Sequence, residues 1–355
     1  MKVKNYILYI TLFVISLIPL KGFATENEGI EEFNINELID EHIGDSHDFH
    51  LFDYKGHAYS LPLPIILWTD NGLVTFLSSA FHHDNKGTVV VEKNGQHFVR
   101  YKEDIYYANA DTRITLNAQG DVTNARPLNF SITKNVVSLM LISILLLFTF
   151  IAVARSYKKN PKAPKGLAGL LEPIVIFVRD EIAIPNIGEK YYNRYMPYLL
   201  TVFFLIWVGN LFGLIPFFPF AGTVTNNILF TGMLALFTLI LTLFSSNKHY
   251  WQHIFAPPGV PSWILPIMIP IEILSVFTKP FALMIRLFAN MTAGHIIALS
   301  LISLIFIFKS VAIAPVSVAF TVFMQMLELL VAVLQAYVFT LLSALFIGQA
   351  VEETH

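Results

Sequence analysis

"MPYLLTVFFLIWVGNLFGLIPFFPFAGTVTNNILFTGMLALFTLILTLFSSN" runs from Met196 to Asn247 without one Asp, Glu, Lys or Arg. A helix needs about 20 consecutive apolar residues to cross the hydrocarbon core of a bilayer. This stretch holds two such segments, expected at about Tyr198–Phe218 and Asn226–Phe244. The Pro- and Gly-containing "PFFPFAGTV" joins them. The whole chain agrees: of its 355 residues 55% are hydrophobic and only 14% are charged. The fold class that follows is an all-α polytopic membrane protein of about five membrane helices. No cysteine is present, which removes disulfides and thiolate metal sites.

Towards the N-terminus the character changes twice. Residues 134–197 hold 9 Lys and Arg against 4 acids, and residues 25–133 hold 17 acids against 7 Lys and Arg. A membrane helix is expected from about Val136 to Ala154, followed at once by the basic "RSYKKNPKAPK" (Arg155–Lys165). Positive loops stay in the cytoplasm, so the region before this helix is expected outside. The start, "MKVKNYILYITLFVISLIPLKGFA", has Lys2 and Lys4, an apolar run, and small residues at Gly22 and Ala24. It reads as a cleavable secretory signal over 1–24; an uncleaved first helix is the other reading. Next, "GLAGLLEPIVIFVRDEIA" is amphipathic and too charged to span, and is expected along the cytoplasmic interface.

Residues 25–133 are expected to form a small extracytoplasmic β-rich module, and 134–355 the membrane domain. In "GTVVVEKNGQHFVRY" the pair Asn94-Gly95 separates two alternating runs, a hairpin signal. "NAQGD" (Asn117–Asp121) reads as another turn, and residues 26–41 as a short helix. His42, His47, His50, His57, His82 and His83, with Asp45 and Asp48, invite a metal reading. No complete ligand set stands out, so they are expected to be solvated polar residues.

Towards the C-terminus, Ile264–Val351 is apolar with isolated charges at Glu272, Lys279, Arg286, Lys309 and Glu328, and with His295. It divides near "KSVAIAPVS" (Lys309–Ser317) into two long, tilted helices. An ionised group near the bilayer centre costs at least about 2.5–3.5 kcal/mol, so each needs a partner, an aqueous cavity or a task. Lys309 sits at a helix end and can snorkel. Lys279 can do the same or pair with Glu272. At about 100° per residue, Glu272, Lys279, Arg286 and Asn290 share one broad face, while His295 lies about 180° from Arg286. Glu328 and Gln335 share a face on the last helix. Arginine keeps its proton at accessible pH, whereas His and Glu exchange theirs. The chemistry expected is proton conduction through His295 and Glu328, with Arg286 as a fixed electrostatic gate.

"KPFALMIRLFANMTAGH" (Lys279–His295), "ELLVAVLQAYVFTLLSALFIGQAVEE" (Glu328–Glu353) and "YLLTVFFLIWVGNLFGLIPF" (Tyr198–Phe217) resemble, in order, three helices of the a-subunit family of F-type ATP synthases. The resemblance implies that Arg286 is the family's essential arginine, with Gln335 and Asn290 as its polar neighbours. It implies a polar pair in Glu272 and Lys279, and a supporting role for Asn210. His295 and Glu328 stand as an exchanged acid–imidazole pair. Gly213 occupies a position where some relatives carry an acid. The implied partners are the c-ring subunits, peripheral-stalk subunit b, the rest of the synthase and the bilayer. No cofactor, metal or nucleic acid is implied, nor any catalytic activity of the chain alone. The implied location is a bacterial inner membrane with the C-terminus in the cytoplasm. Two rivals are a secondary transporter whose Arg286 binds an anionic substrate, which predicts inverted repeats, and a membrane-anchored sensor built on 25–133. No repeat is visible, and buried charges argue against a mere anchor.

Overall fold

The computed structural model describes residues 44–54, 57–108, 114–117, 121–159, 166–215, 224–256, 261, 263–308 and 310–352. The expected signal, the helix at 26–41, His42 and Lys309 lie outside them.

The first described region is built from eight strands: β1 (Asp48–Tyr54), β2 (His57–Pro62), β3 (Pro64–Thr69), β4 (Gly72–Leu77), β5 (Lys86–Lys93), β6 (Gln96–Tyr101), β7 (Asp104–Ala108) and β8 (Leu128–Asn129). They pair as β1-β2, β4-β3-β8 and β5-β6-β7, all antiparallel. Alternation decides which faces turn inward: on β3, Ile65 and Leu67 are buried and Trp68 is exposed. The inward residues Ile65, Leu67, Val74, Phe81, Val91, Phe98 and Ile105 form one core. The expected hairpin is present, with Asn94 at φ 50° and Gly95 at φ 72° between β5 and β6. Two consecutive positive φ values match the right-handed strand twist, and Asn-Gly meets that demand. The Asn117 N–H donates to the Asp121 carbonyl at 2.8 Å, and the residues between them, in the second expected turn, lie outside those described.

Next to this core lies a buried ionic group that the sequence reading did not find. Arg100 is only 2% exposed. It donates to Asp48 Oδ2 at 2.6 Å and to the Asp84 carbonyl at 2.8 Å, with Glu103 at 4.0 Å. Burial alone would raise Asp48, but hydrogen bonds from Ser78 and Arg100 and the guanidinium charge hold its carboxyl below the ordinary value of 3.8. Glu103 is likewise held below 4.5, by His47 and Arg100 against the opposing effect of burial. His47, Asp45 and Asp48, expected to be solvated, are instead paired internally, and His47 is 3% exposed and also contacts Asn129. Among the described residues, no group of three or more His, Asp or Glu is placed to hold a metal ion.

Among the described residues, five helices are long and apolar enough to cross a membrane. They are α1 (Lys134–Lys159), α4 (Tyr192–Gly213), α5 (Ile228–Ser245), α7 (Leu265–Ile307) and α8 (Ala314–Val351). A 3-10 turn, Val224–Asn226, precedes α5, and a short helix α6 (Lys248–Phe255) follows it. Between α1 and α4, α2 (Leu167–Phe177) passes through a π-helical turn (Val178–Ala183) into α3 (Ile184–Ile187). The amphipathic segment is therefore more than a surface element. Its Val178, Ile182, Ala183 and Ile187 are buried in the main core beside Leu199, Phe203, Ala336, Phe339 and Ile347.

Small residues let α8 pack closely. Ala332, Ala336, Thr340, Ser343, Ala344 and Gly348 are all buried. At Gly348 the Asn186 carbonyl fills the space where a Cβ would stand. Asn247 ties down the same end, its backbone N–H donating to the Ala350 carbonyl at 2.9 Å and its side-chain amide to the Val351 carbonyl at 3.0 Å. At the other end the Ser317 hydroxyl donates to the Leu301 carbonyl, joining α8 to α7. Polar side chains also link helices internally: Tyr198 Oη meets Thr238 Oγ1 at 2.7 Å, and Thr238 meets Ser343 at 3.4 Å.

Candidate functional site

The α7–α8 pair assembles most of the residues singled out in the sequence. Asn290 Nδ2 donates to Gln335 Oε1 at 3.1 Å. Gln335 is 1% exposed, while Asn290 is open to the surface. Arg286, one turn before Asn290, is exposed and makes no hydrogen bond or ion pair with any described residue. Many apolar side chains of the same two helices are exposed as well, among them Phe281 and Ile285 on α7 and Met326, Leu330, Val333 and Leu334 on α8. A guanidinium held there is a fixed positive charge with no counter-charge among the described residues.

The reverse side of α7 carries the second pair. His295 Nδ1 lies 3.1 Å from Glu328 Oε1, as the half-turn offset from Arg286 requires. Glu328 is only 5% exposed. Glu328 Oε1 and His295 Nε2 are both buried without a hydrogen-bond partner among the described residues. Room for this carboxylate comes from Gly294, where an added Cβ would stand 2.8 Å from Glu328 Oε1. Two ionisable groups in contact, with acceptor and donor capacity to spare, can pass a proton between them.

A third cluster lies at the other end of α7. Lys279 Nζ donates to Gln349 Oε1 at 3.0 Å in an exposed contact, and of its two expected roles the pairing with Glu272 is the one corrected, since no ion pair forms between them. Both residues line a cavity of about 320 Å³ with His249, Tyr250, His253, Gln349 and Glu352. Burial first, and the negative charge of Glu272 second, push the Tyr250 hydroxyl above its ordinary value of 10.0, so it stays a donor. The sequence reading missed these α6 residues, although His249 and His253 stand four apart and share a helix face. Asn210 is fully buried on α4; its Nδ2 reaches the Ala332 carbonyl at 3.5 Å.

Comparison with known proteins bears on this arrangement. The family described as "ATP synthase A chain" matches residues 137–348, which include every residue of the three clusters except Glu352 and Gln349. This chain belongs to the ATP synthase A chain family. A second family, a domain of unknown function (DUF8433), matches residues 38–130. The chain is 50% identical over 230 residues to the ATP synthase subunit a of Chloroherpeton thalassium, covering 63% of this chain and 67% of that one. It is 53% identical over 230 residues to an ATP synthase subunit a of Chlorobaculum tepidum, covering 62% and 64%. It is 45% identical over 234 residues to that of Myxococcus xanthus, covering 64% and 75%. The match thus spans about two thirds of the first two relatives' length. As a member of this family the chain is a multi-pass membrane protein.

Proposed function

We propose that this chain is the stator half of the proton path in a rotary ATP synthase. The observation that carries the reading is the two-faced α7. An unpartnered Arg286 stands on an exposed apolar face, and a buried His295–Glu328 pair occupies the opposite face. A charge in that position is favourable only if an anion comes to meet it, and a carboxylate on a ring of c subunits supplies one. Family membership supports the same reading.

Two aqueous half-channels then reach the middle of the membrane from opposite sides. The proton enters from outside, passes His295 and Glu328, and neutralises a ring carboxylate. Arg286 favours the ionised form of the neighbouring ring carboxylate, which has released its proton to the inner half-channel. The cavity between α6 and α7, with Glu272 and Lys279 in its wall, is the inner exit. Asn290 and Gln335 fix the α7–α8 spacing beside Arg286, and Asn210 braces α8 from α4. Because arginine does not titrate, Arg286 also blocks leakage between the half-channels. The module at 25–133 lies outside, the signal at 1–24 directs it there, and the C-terminus is cytoplasmic. Peripheral-stalk subunit b holds the chain against the turning ring, and nucleotide chemistry takes place on other subunits.

The test is Arg286→Ala in membrane vesicles carrying the assembled complex. Proton-coupled ATP synthesis is expected to vanish; its persistence would remove the gate. Glu328→Gln is expected to cut proton flux severely, and unchanged flux would take this carboxylate off the path.

A further inference from the structure

An antiparallel sheet commonly packs one face on its core and turns polar residues to water on the other. In β4-β3-β8 the inward face obeys, with Ile65, Leu67 and Val74 buried. The outward face does not. Cross-strand pairing sets Leu73, Trp68 and Leu128 in one row. Thr75 and Ile66 form the next row, and Phe130 joins it, its N–H donating to the Ile66 carbonyl at 2.8 Å. Leu77 and Pro64 form the third. Leu73, Trp68, Leu128, Phe130 and Leu77 are 51–64% exposed. The three rows hold no charged residue, although residues 25–133 contain 17 acids. On β5, by contrast, Lys86, Glu92 and Lys93 face water. A contiguous apolar patch of this kind marks a contact with a protein or a membrane.

The way the module is tied to the helices selects the membrane. The Asp45 carboxylate accepts the Asn135 N–H at 3.2 Å, the Thr133 hydroxyl at 2.9 Å and the Asn227 amide at 3.3 Å. Asn227 immediately precedes α5, and Asn135 lies in the first turn of α1. Their exposed apolar surfaces begin at once, with Leu229 on α5 and Val136 on α1. The module therefore sits where two apolar spans start, with no spacer. The chain runs from Phe130 to Lys134 in four residues, at most about 14 Å. It is strapped down on the way: the Ile132 N–H donates to the Pro64 carbonyl at 3.1 Å, and the Lys134 N–H to the Ser46 carbonyl at 2.9 Å. The sheet face is thus continuous in the chain with the apolar surface of α1. A protein partner is met with about one hydrogen bond per 100–200 Å² of interface. Here the outward side chains offer only the Thr75 hydroxyl and the Trp68 indole, and a charged partner would find no counter-charge. Tryptophan with apolar neighbours suits the headgroup level of a bilayer.

We infer that the outward face of β4-β3-β8 lies on the bilayer, with Leu73, Trp68, Leu77, Leu128 and Phe130 set into the boundary between phospholipid headgroups and acyl chains. The module then has two anchors: Asp45 on the helix ends, and this face on lipid. That the leaflet is the outer one rests on the orientation given under the proposed function; the lipid contact itself does not.

The test replaces Leu73 and, separately, Leu128 by a diazirine-bearing amino acid in the full chain. Glu92, exposed on β5, is replaced in the same way as the water-facing control. Membranes holding the assembled complex are illuminated, and the adducts on each peptide are identified by mass spectrometry. The expected result is a severalfold excess of phospholipid adducts over water adducts at the two leucine positions, with water adducts prevailing at the Glu92 position. Water addition at the leucine positions matching the control would overturn the inference. So would crosslinks there to another polypeptide, or to residues 1–41 of this chain, in place of lipid. Adduct identity needs no ion coupling, so its outcome is separate from that of Arg286→Ala.

Discussion

Gly294 has no side chain because Glu328 occupies the place where one would go. An added Cβ would stand 2.8 Å from Oε1 and 3.0 Å from Cδ. Gly294→Ala should displace the carboxylate from His295 and lower proton flux while the complex still assembles. Gly294→Val should lower it further. Wild-type flux in the alanine variant, measured in vesicles with normal subunit content, would show that the carboxylate position is not critical. The offset of His295 from Arg286 was legible in the sequence, because rotation per residue fixes which way each side chain leaves its helix, whereas its pairing with Glu328 came only from the family resemblance. Gly294 was not legible, because the atom that excludes a methyl group comes from another helix. The Glu272–Lys279 pairing failed for a related reason. Seven residues along a helix share a face but stand about 10.5 Å apart, and Gln349 of α8 is nearer.

Among the elements, the β-module shows where local signals stop. Asn94-Gly95 announced its hairpin because those residues tolerate positive φ. The turn between β6 and β7 uses Lys102 and Glu103 at φ 49° and 65°, which sequence preference alone would not choose. Tertiary bonds hold it: Asn85 Oδ1 accepts the Glu103 N–H at 2.6 Å, and the Glu103 carboxylate accepts the His47 N–H at 3.2 Å. Arg100→Leu would remove the guanidinium that Asp48 and Glu103 share. Removing one partner of a buried pair costs about 3–5 kcal/mol, and limited proteolysis of the module should accelerate accordingly. Acid should act on the same group. Asp48 and Glu103 have folded-state values lowered from 3.8 and 4.5. Their contribution is therefore complete above about pH 4.5 and fades as pH falls through the lowered values. Proteolytic resistance should hold at pH 5 and fall away below the ordinary carboxylate range; a module equally resistant well below that range would contradict this. The helices were more legible than the strands, since length and apolarity suffice to find them. Their ends were less so: α4 begins at Tyr192 rather than Tyr198, its first turns lying outside the charge-free stretch.

Taken as a whole molecule, the polar residues of the last two long helices gather in three clusters: Asn290 with Gln335 beside Arg286, His295 with Glu328, and the cavity lined by Glu272 and Lys279. The sequence displayed the charges of these clusters but not Gln349 or Tyr250, because uncharged polar residues are told apart only by what they meet in the fold. Gly348 tests the packing of α8 against α3. A leucine there must push the Asn186 backbone away, an overpacking of about 1–3 kcal/mol. Gly348→Leu should reduce the amount of assembled complex in membranes, and normal yield would show that α3 can move aside.

The way α8 is held has a mechanical consequence. Ser317 pins one end to α7, and Gly348 and Asn247 pin the other. Between them, Met326, Leu330, Val333 and Leu334 face outward. Such a helix is a beam supported at both ends and braced at mid-span through Gln335 and Ala332. On the proposed function, a partner moving across its outward face would meet stiffness rather than grip.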